Sequence, residues 1–91
     1  MDLKKVMKRD GRIERFDKTK IYNSIHKSLW HAHRRDEKLA RKLAEEAVII
    51  LSKKYKNKTV PVEEIKEVVE FVLVKNKFPK VAEAYILYRF V

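Results

Sequence analysis

Lys8, Arg9 and Lys20 are the residues whose type and spacing point most directly to chemistry. Lys8 and Arg9 lead into Asp10-Gly11, a hairpin-turn pair in which both positions tolerate positive φ and glycine does so without steric cost. Gly11 is the only glycine in the chain. Lys20 falls in the first turn of the helical pattern that follows, beside free backbone N–H groups and the positive end of a helix dipole. Three cations converging beside a turn make a candidate polyphosphate site. In a regular strand Lys8 and Arg9 face opposite ways, so the turn must reorient one of them for both to reach one ligand. The competing reading is a hairpin that carries charge only to keep its edges soluble. On composition alone that reading ranks ahead.

Other chemistry finds little support. His26, His31 and His33 are the three histidines, and the last two lie two residues apart, a spacing that does not share a helix face. The absence of cysteine excludes a disulfide framework and a thiolate zinc site, and fits a reducing, cytoplasmic setting. One glycine cannot build a Gly-rich phosphate loop, and no Walker A motif is present. Most carboxylates read as i, i+4 partners of lysines on solvated faces.

The elements that must position the cations fit one domain, residues 1–91. The expected fold is mostly α (α+β), with strands at about 4–8 and 12–16 and helices at about 18–33, 37–56, 63–76 and 79–90. Asp17 is a good N-cap for the first helix. Ile21, Ile25 and Leu29 repeat along it, with Tyr22 and Trp30 flanking a broad apolar face. Asp36 caps the second helix, whose stripe is Leu39, Leu43, Ala47 and Ile50, and Asn57 marks its exit. Val60-Pro61 is extended, because the residue before proline is pushed from the α region. In the third helix Ile65, Val68, Val69 and Val72 form one face, which Phe71 and Leu73 extend around the cylinder. Asn76 is the expected left-handed residue after it. Pro79 opens the fourth helix, where proline is tolerated, and Tyr85 and Ile86 face the core. Two strands alone are marginal, so the hairpin must lean on the helices or pair with another edge.

The formal charge of +10 implies attraction to anions, whether nucleotide, nucleic acid or acidic protein. Charged residues make up 40% of the chain, a balance also met in proteins from hot environments. No apolar run approaches the ~20 residues of a membrane span.

V-M-K-R-D-G-R-I-E-R-F-D-K-T-K-I (residues 6–21) resembles the opening motif of the ATP-cone domain. V-P-V-E-E-I-K-E-V-V-E (60–70) and V-A-E-A-Y-I-L-Y-R (81–89) continue the resemblance in the family's order and spacing. It covers nearly the whole chain and implies an N-terminal β-hairpin capping a four-helix bundle. It also implies a non-catalytic regulatory module of ribonucleotide reductases that takes ATP or dATP, with Mg²⁺ held through the phosphates rather than by protein side chains. Such domains also occur in the repressor of the reductase genes, which carries a zinc ribbon for which no cysteines are present here.

By that resemblance Val6 and Ile21 contact adenine with Phe16 nearby, and Glu14 reads the adenine amino group. Lys8 and Arg9 hold phosphates, and Asp17 and Lys20 complete the wall. Val62 and Lys66 stand where reductase cones contact ligand, and Arg89 reaches the phosphates. Two departures stand out: Val62 replaces a residue that is often a small hydroxyl, and Asn76 stands where glycine is common. The expected partners are a nucleotide, plus either another copy of the chain or a reductase catalytic domain; the chain ends where a cone normally hands over to such a domain. A basic helical nucleic-acid-binding domain or transcriptional regulator, built on Arg34-Arg35 and the lysines from Lys53 to Lys58, ranks second.

Overall fold

Lys8 and Arg12 close a hairpin around Arg9, Asp10 and Gly11. The Lys8 N–H donates to the Arg12 carbonyl at 2.8 Å, and the Gly11 N–H donates to the Lys8 carbonyl at 3.0 Å. Gly11 alone in this loop has positive φ, at 90°. The connection is therefore a three-residue loop with glycine in the left-handed position, and not a two-residue turn centred on Asp10-Gly11. Asp10 supports it from the side, accepting from the Arg12 N–H at 3.1 Å and from Arg12 Nε at 2.7 Å.

The computed structural model describes residues 3–88. The order is β1 (Lys5–Met7), β2 (Ile13–Arg15), α1 (Lys18–His31), α2 (Glu37–Lys54), β3 (Val60–Pro61), α3 (Val62–Lys75) and α4 (Pro79–Tyr88). The chain is mostly helical, as expected, with shorter strands than expected and with α1 and α2 ending before residues 33 and 56. The expected end of α4 at residue 90 lies outside the described residues. The hairpin finds its further edge in β3: the sheet order is β2-β1-β3. Val6 lies opposite Glu14 in the antiparallel pair and opposite Val60 in the parallel one. The segment the sequence marks as extended therefore joins the sheet directly before α3 begins.

Both aspartate caps form. Asp17 accepts from the Thr19 N–H at 2.9 Å and Asp36 from the Leu39 N–H at 2.9 Å. The start of α3 has no side-chain cap, since Pro61 holds that position, and Glu63 and Glu64 supply favourable charge in its first turn. α1 packs on α2 and α4, and α3 packs on the same two helices. Ile25, Leu29, Leu51, Val60, Val69, Val72 and Leu73 are fully buried between them. Burying a side chain of this size contributes about 1.5–3 kcal/mol.

Four expectations about single residues are corrected. Ile86 does not face the core: it is 36% exposed, one helical step past the face that Val81, Ala82 and Tyr85 bury. Asn76 is not left-handed; its φ is −87° and Lys77, at φ 68°, takes that role. Lys77 N–H donates to Val74 at 3.0 Å and Phe78 N–H to Leu73 at 2.9 Å, closing the helix end one residue later. The Asn76 side chain is engaged elsewhere, donating to the Val72 carbonyl and to Glu46. Phe71 is 57% exposed and Trp30 54% exposed, so neither belongs to the core. At about 100° per residue, Phe71 falls outside the arc that Val68, Val69, Val72 and Leu73 occupy on α3, and Trp30 falls on the side of α1 opposite Ile21.

Candidate nucleotide site

A cavity of about 430 Å³ opens where β1, β2, the start of α1 and the start of α3 meet. Its floor is apolar. β1 supplies Val6, α1 supplies Ile21, and α3 supplies Val62 and Ile65. Phe16, between the hairpin and α1, and Tyr85, from α4, add two rings. The rim is polar. Lys8, Glu14 and Arg15 come from the hairpin, Asp17 from the α1 cap, and Lys66 from α3. Lys20, Asn23, Ser24 and Lys27 also line the cavity. Their i, i+3, i+4, i+7 spacing makes them one continuous face of α1.

Among these rim groups Glu14 is the hub. Its carboxylate lies 4.0 Å from Lys8 Nζ, 3.8 Å from Lys20 Nζ and 3.8 Å from an Arg12 nitrogen. These are charge contacts longer than hydrogen bonds, so the lysines keep donors for an anion. Asp17 is held below the usual carboxylate range by hydrogen bonding from Thr19, first through its side chain and then through its backbone N–H. Ser24 donates its hydroxyl to the Ile21 carbonyl at 2.9 Å, which leaves its oxygen able to accept from a ligand.

Val6, Lys8, Glu14, Phe16, Asp17, Lys20, Ile21, Val62 and Lys66, all candidates from the sequence, border this one cavity. Arg9 does not. The turn sends Lys8 to the cavity, while Arg9 Nε donates to Glu63 Oε1 at 2.8 Å. The two cations are thus kept apart and not reoriented onto one point. Arg89 lies outside the described residues. Arg15, Asn23, Ser24, Lys27, Ile65 and Tyr85 also line the cavity, and neither the cation spacing nor the family resemblance points to them. The α1 residues among them were findable: three- and four-residue steps from Lys20 reach each one.

The arrangement suits a ligand with a flat apolar body and an anionic tail. The floor takes the first, with rings available for stacking, and the lysines take the second by charge-assisted hydrogen bonds. The volume falls within the ordinary range for small-molecule pockets, about 300–1,000 Å³. Among the described residues, no group of three or more His, Cys, Asp or Glu is placed to hold a metal ion, and no helix is long and apolar enough to cross a membrane.

The family model of the ATP cone domain matches residues 4–91. Among curated proteins, the vitamin B12-dependent ribonucleoside-diphosphate reductase of Thermoplasma acidophilum is 42% identical over 93 aligned residues. That alignment takes in 96% of this chain but 12% of the reductase's length.

Proposed function

Because the chain belongs to the ATP-cone family, we propose that it is a regulatory module that binds ATP or dATP and performs no chemistry itself. The single observation that carries this reading is the cavity, in which an apolar, ring-bearing floor adjoins a lysine-rich rim. Adenine rests against Val6, Ile21 and Phe16, and Glu14 accepts from its amino group. The phosphates lie toward Lys8, Lys20 and Lys66, with Mg²⁺ carried by the phosphates. Val62 borders the base, and Asp17 fixes the start of α1, where Lys20 projects. Arg9 joins the phosphate contacts only on leaving Glu63, and Arg89, outside the described residues, is a further phosphate contact on the family resemblance alone.

The pairwise helix packing supports reading the helices as a four-helix bundle capped by the sheet. On this proposal nucleotide occupancy sets how the module associates, either with a second copy or with the catalytic part of a reductase. Isothermal titration with ATP and with dATP, each with Mg²⁺ and each followed by sizing of the mixture, tests it. Binding of either nucleotide with a change in size that depends on which one is bound is the expected result. No heat with either nucleotide at saturating concentration refutes the nucleotide reading. Binding without any change in size leaves the site standing but removes the link to association.

A further inference from the structure

Glu63 is not part of the cavity lining, yet it controls two of the cations around it. Its Oε1 accepts from Arg9 Nε at 2.8 Å and stands 3.4 Å from Lys66 Nζ. Glu63 and Lys66 lie three residues apart on α3 and Arg9 lies in the hairpin turn, so one carboxylate oxygen holds a cation of its own helix and ties α3 to the hairpin. Lys66 lines the cavity and its side chain is 21% exposed, the most sheltered cation of this group. Arg9 is drawn off the rim altogether.

We propose that Glu63 stands in for a ligand phosphate in the free protein, and that polyphosphate must displace it to recruit Arg9 and Lys66. A phosphate oxygen offers these donors the same charge-assisted bonds as the carboxylate does. It also brings negative charge close to Glu63, so the two compete. The neighbouring carboxylate does not share this role, because Glu64 pairs with Lys54 on α2. Glu63 is thereby an affinity-setting residue that touches the ligand's partners and not the ligand. This assignment rests on the nucleotide reading for its natural ligand, while the competition itself needs only a polyphosphate.

The test titrates the full chain and its Glu63→Gln variant with inorganic tripolyphosphate, with ATP, and with adenosine as the phosphate-free control. Glutamine keeps the shape and removes the charge, and Glu63→Ala serves as a second variant should glutamine retain a hydrogen bond. Removing the competitor tightens tripolyphosphate and ATP about two- to fivefold, the scale of exposed charge pairs. Adenosine gains nothing, and the gain shrinks with added salt. Combining Glu63→Gln with Arg9→Ala removes most of the gain. Unchanged or weaker tripolyphosphate binding in both Glu63 variants overturns the proposal, as does an equal gain for adenosine or a failure of every variant to bind tripolyphosphate. If tripolyphosphate behaves as expected and neither the full chain nor any variant binds ATP, or dATP in a parallel titration, the competition stands and the nucleotide reading falls.

Discussion

Lys8 and Arg9 are adjacent cations at one turn, yet the structure gives them unequal roles in binding a nucleotide. Lys8 lines the cavity with its side chain 33% exposed, and among the described residues its ion pair is with Glu14, at 4.0 Å. Among the described residues, that contact is longer than a hydrogen bond, so Lys8 surrenders little to meet a phosphate. Losing a charge-assisted hydrogen bond of this kind costs about 1.5–3 kcal/mol, so Lys8→Ala should weaken ATP binding about 10- to 150-fold. Arg9 is 68% exposed and already bonded to Glu63 at 2.8 Å. Its transfer to a phosphate exchanges one charged partner for another in water. Arg9→Ala should therefore weaken ATP binding by no more than about fivefold, the upper range for exposed pairs. Isothermal titration of the two single variants reads the ratio directly, with thermal unfolding as a check that both are folded. The reasoning is refuted if Arg9→Ala costs as much as Lys8→Ala or more.

Three further outcomes follow from the packing. Glu46 joins α2 to the end of α3, accepting from Lys75 at 2.7 Å and Asn76 at 3.1 Å. Glu46→Ala should cost about 1–2 kcal/mol and lower Tm by about 5–10 °C in a calorimetric scan. The Lys75 hydrogen bond, opposed by burial and helped by Asn76, holds the Glu46 carboxyl below its usual range. Its contribution is therefore complete above the unfolded value of about 4.3 and lost as pH falls through the lower folded value, so Glu46→Ala should flatten the acid limb of a Tm-against-pH series. Leu73→Ala at a fully buried position should cost about 2–5 kcal/mol by urea unfolding, whereas Phe71→Ser, at a side chain 57% exposed, should stay within about 0.5 kcal/mol.

The helices and both aspartate caps are legible in the sequence because each rests on local chemistry. Ile21, Ile25 and Leu29 mark a face by spacing, and Asp17 and Asp36 precede the apolar pattern they cap. The third strand is only half legible. Proline makes Val60 extended, but its pairing beside Val6 is a contact between residues far apart in the chain, which no local pattern records. Phe71 and Trp30 are apolar but lie off the buried faces of α3 and α1, so their exposure follows the helical step of about 100° per residue and not their hydrophobicity. Resemblance to the family's motifs, more than periodicity, picks out Val6, Glu14 and Lys66 as one group, and the three do border one cavity. The diversion of Arg9 could not be read, because it depends on Glu63 lying across the turn from it.

The central claim is that nucleotide enters the cavity between the hairpin, α1 and α3. An amide NMR titration of the isotope-labelled chain with ATP and Mg²⁺ tests it most directly. The account predicts saturable shifts at Lys8, Glu14, Lys20, Ser24, Lys27 and Lys66, all on that cavity, with Lys53 in the last turn of α2 and Lys56 just beyond it unmoved. Shifts confined to Lys53 and Lys56, or spread evenly over the basic surface without saturation, would contradict it.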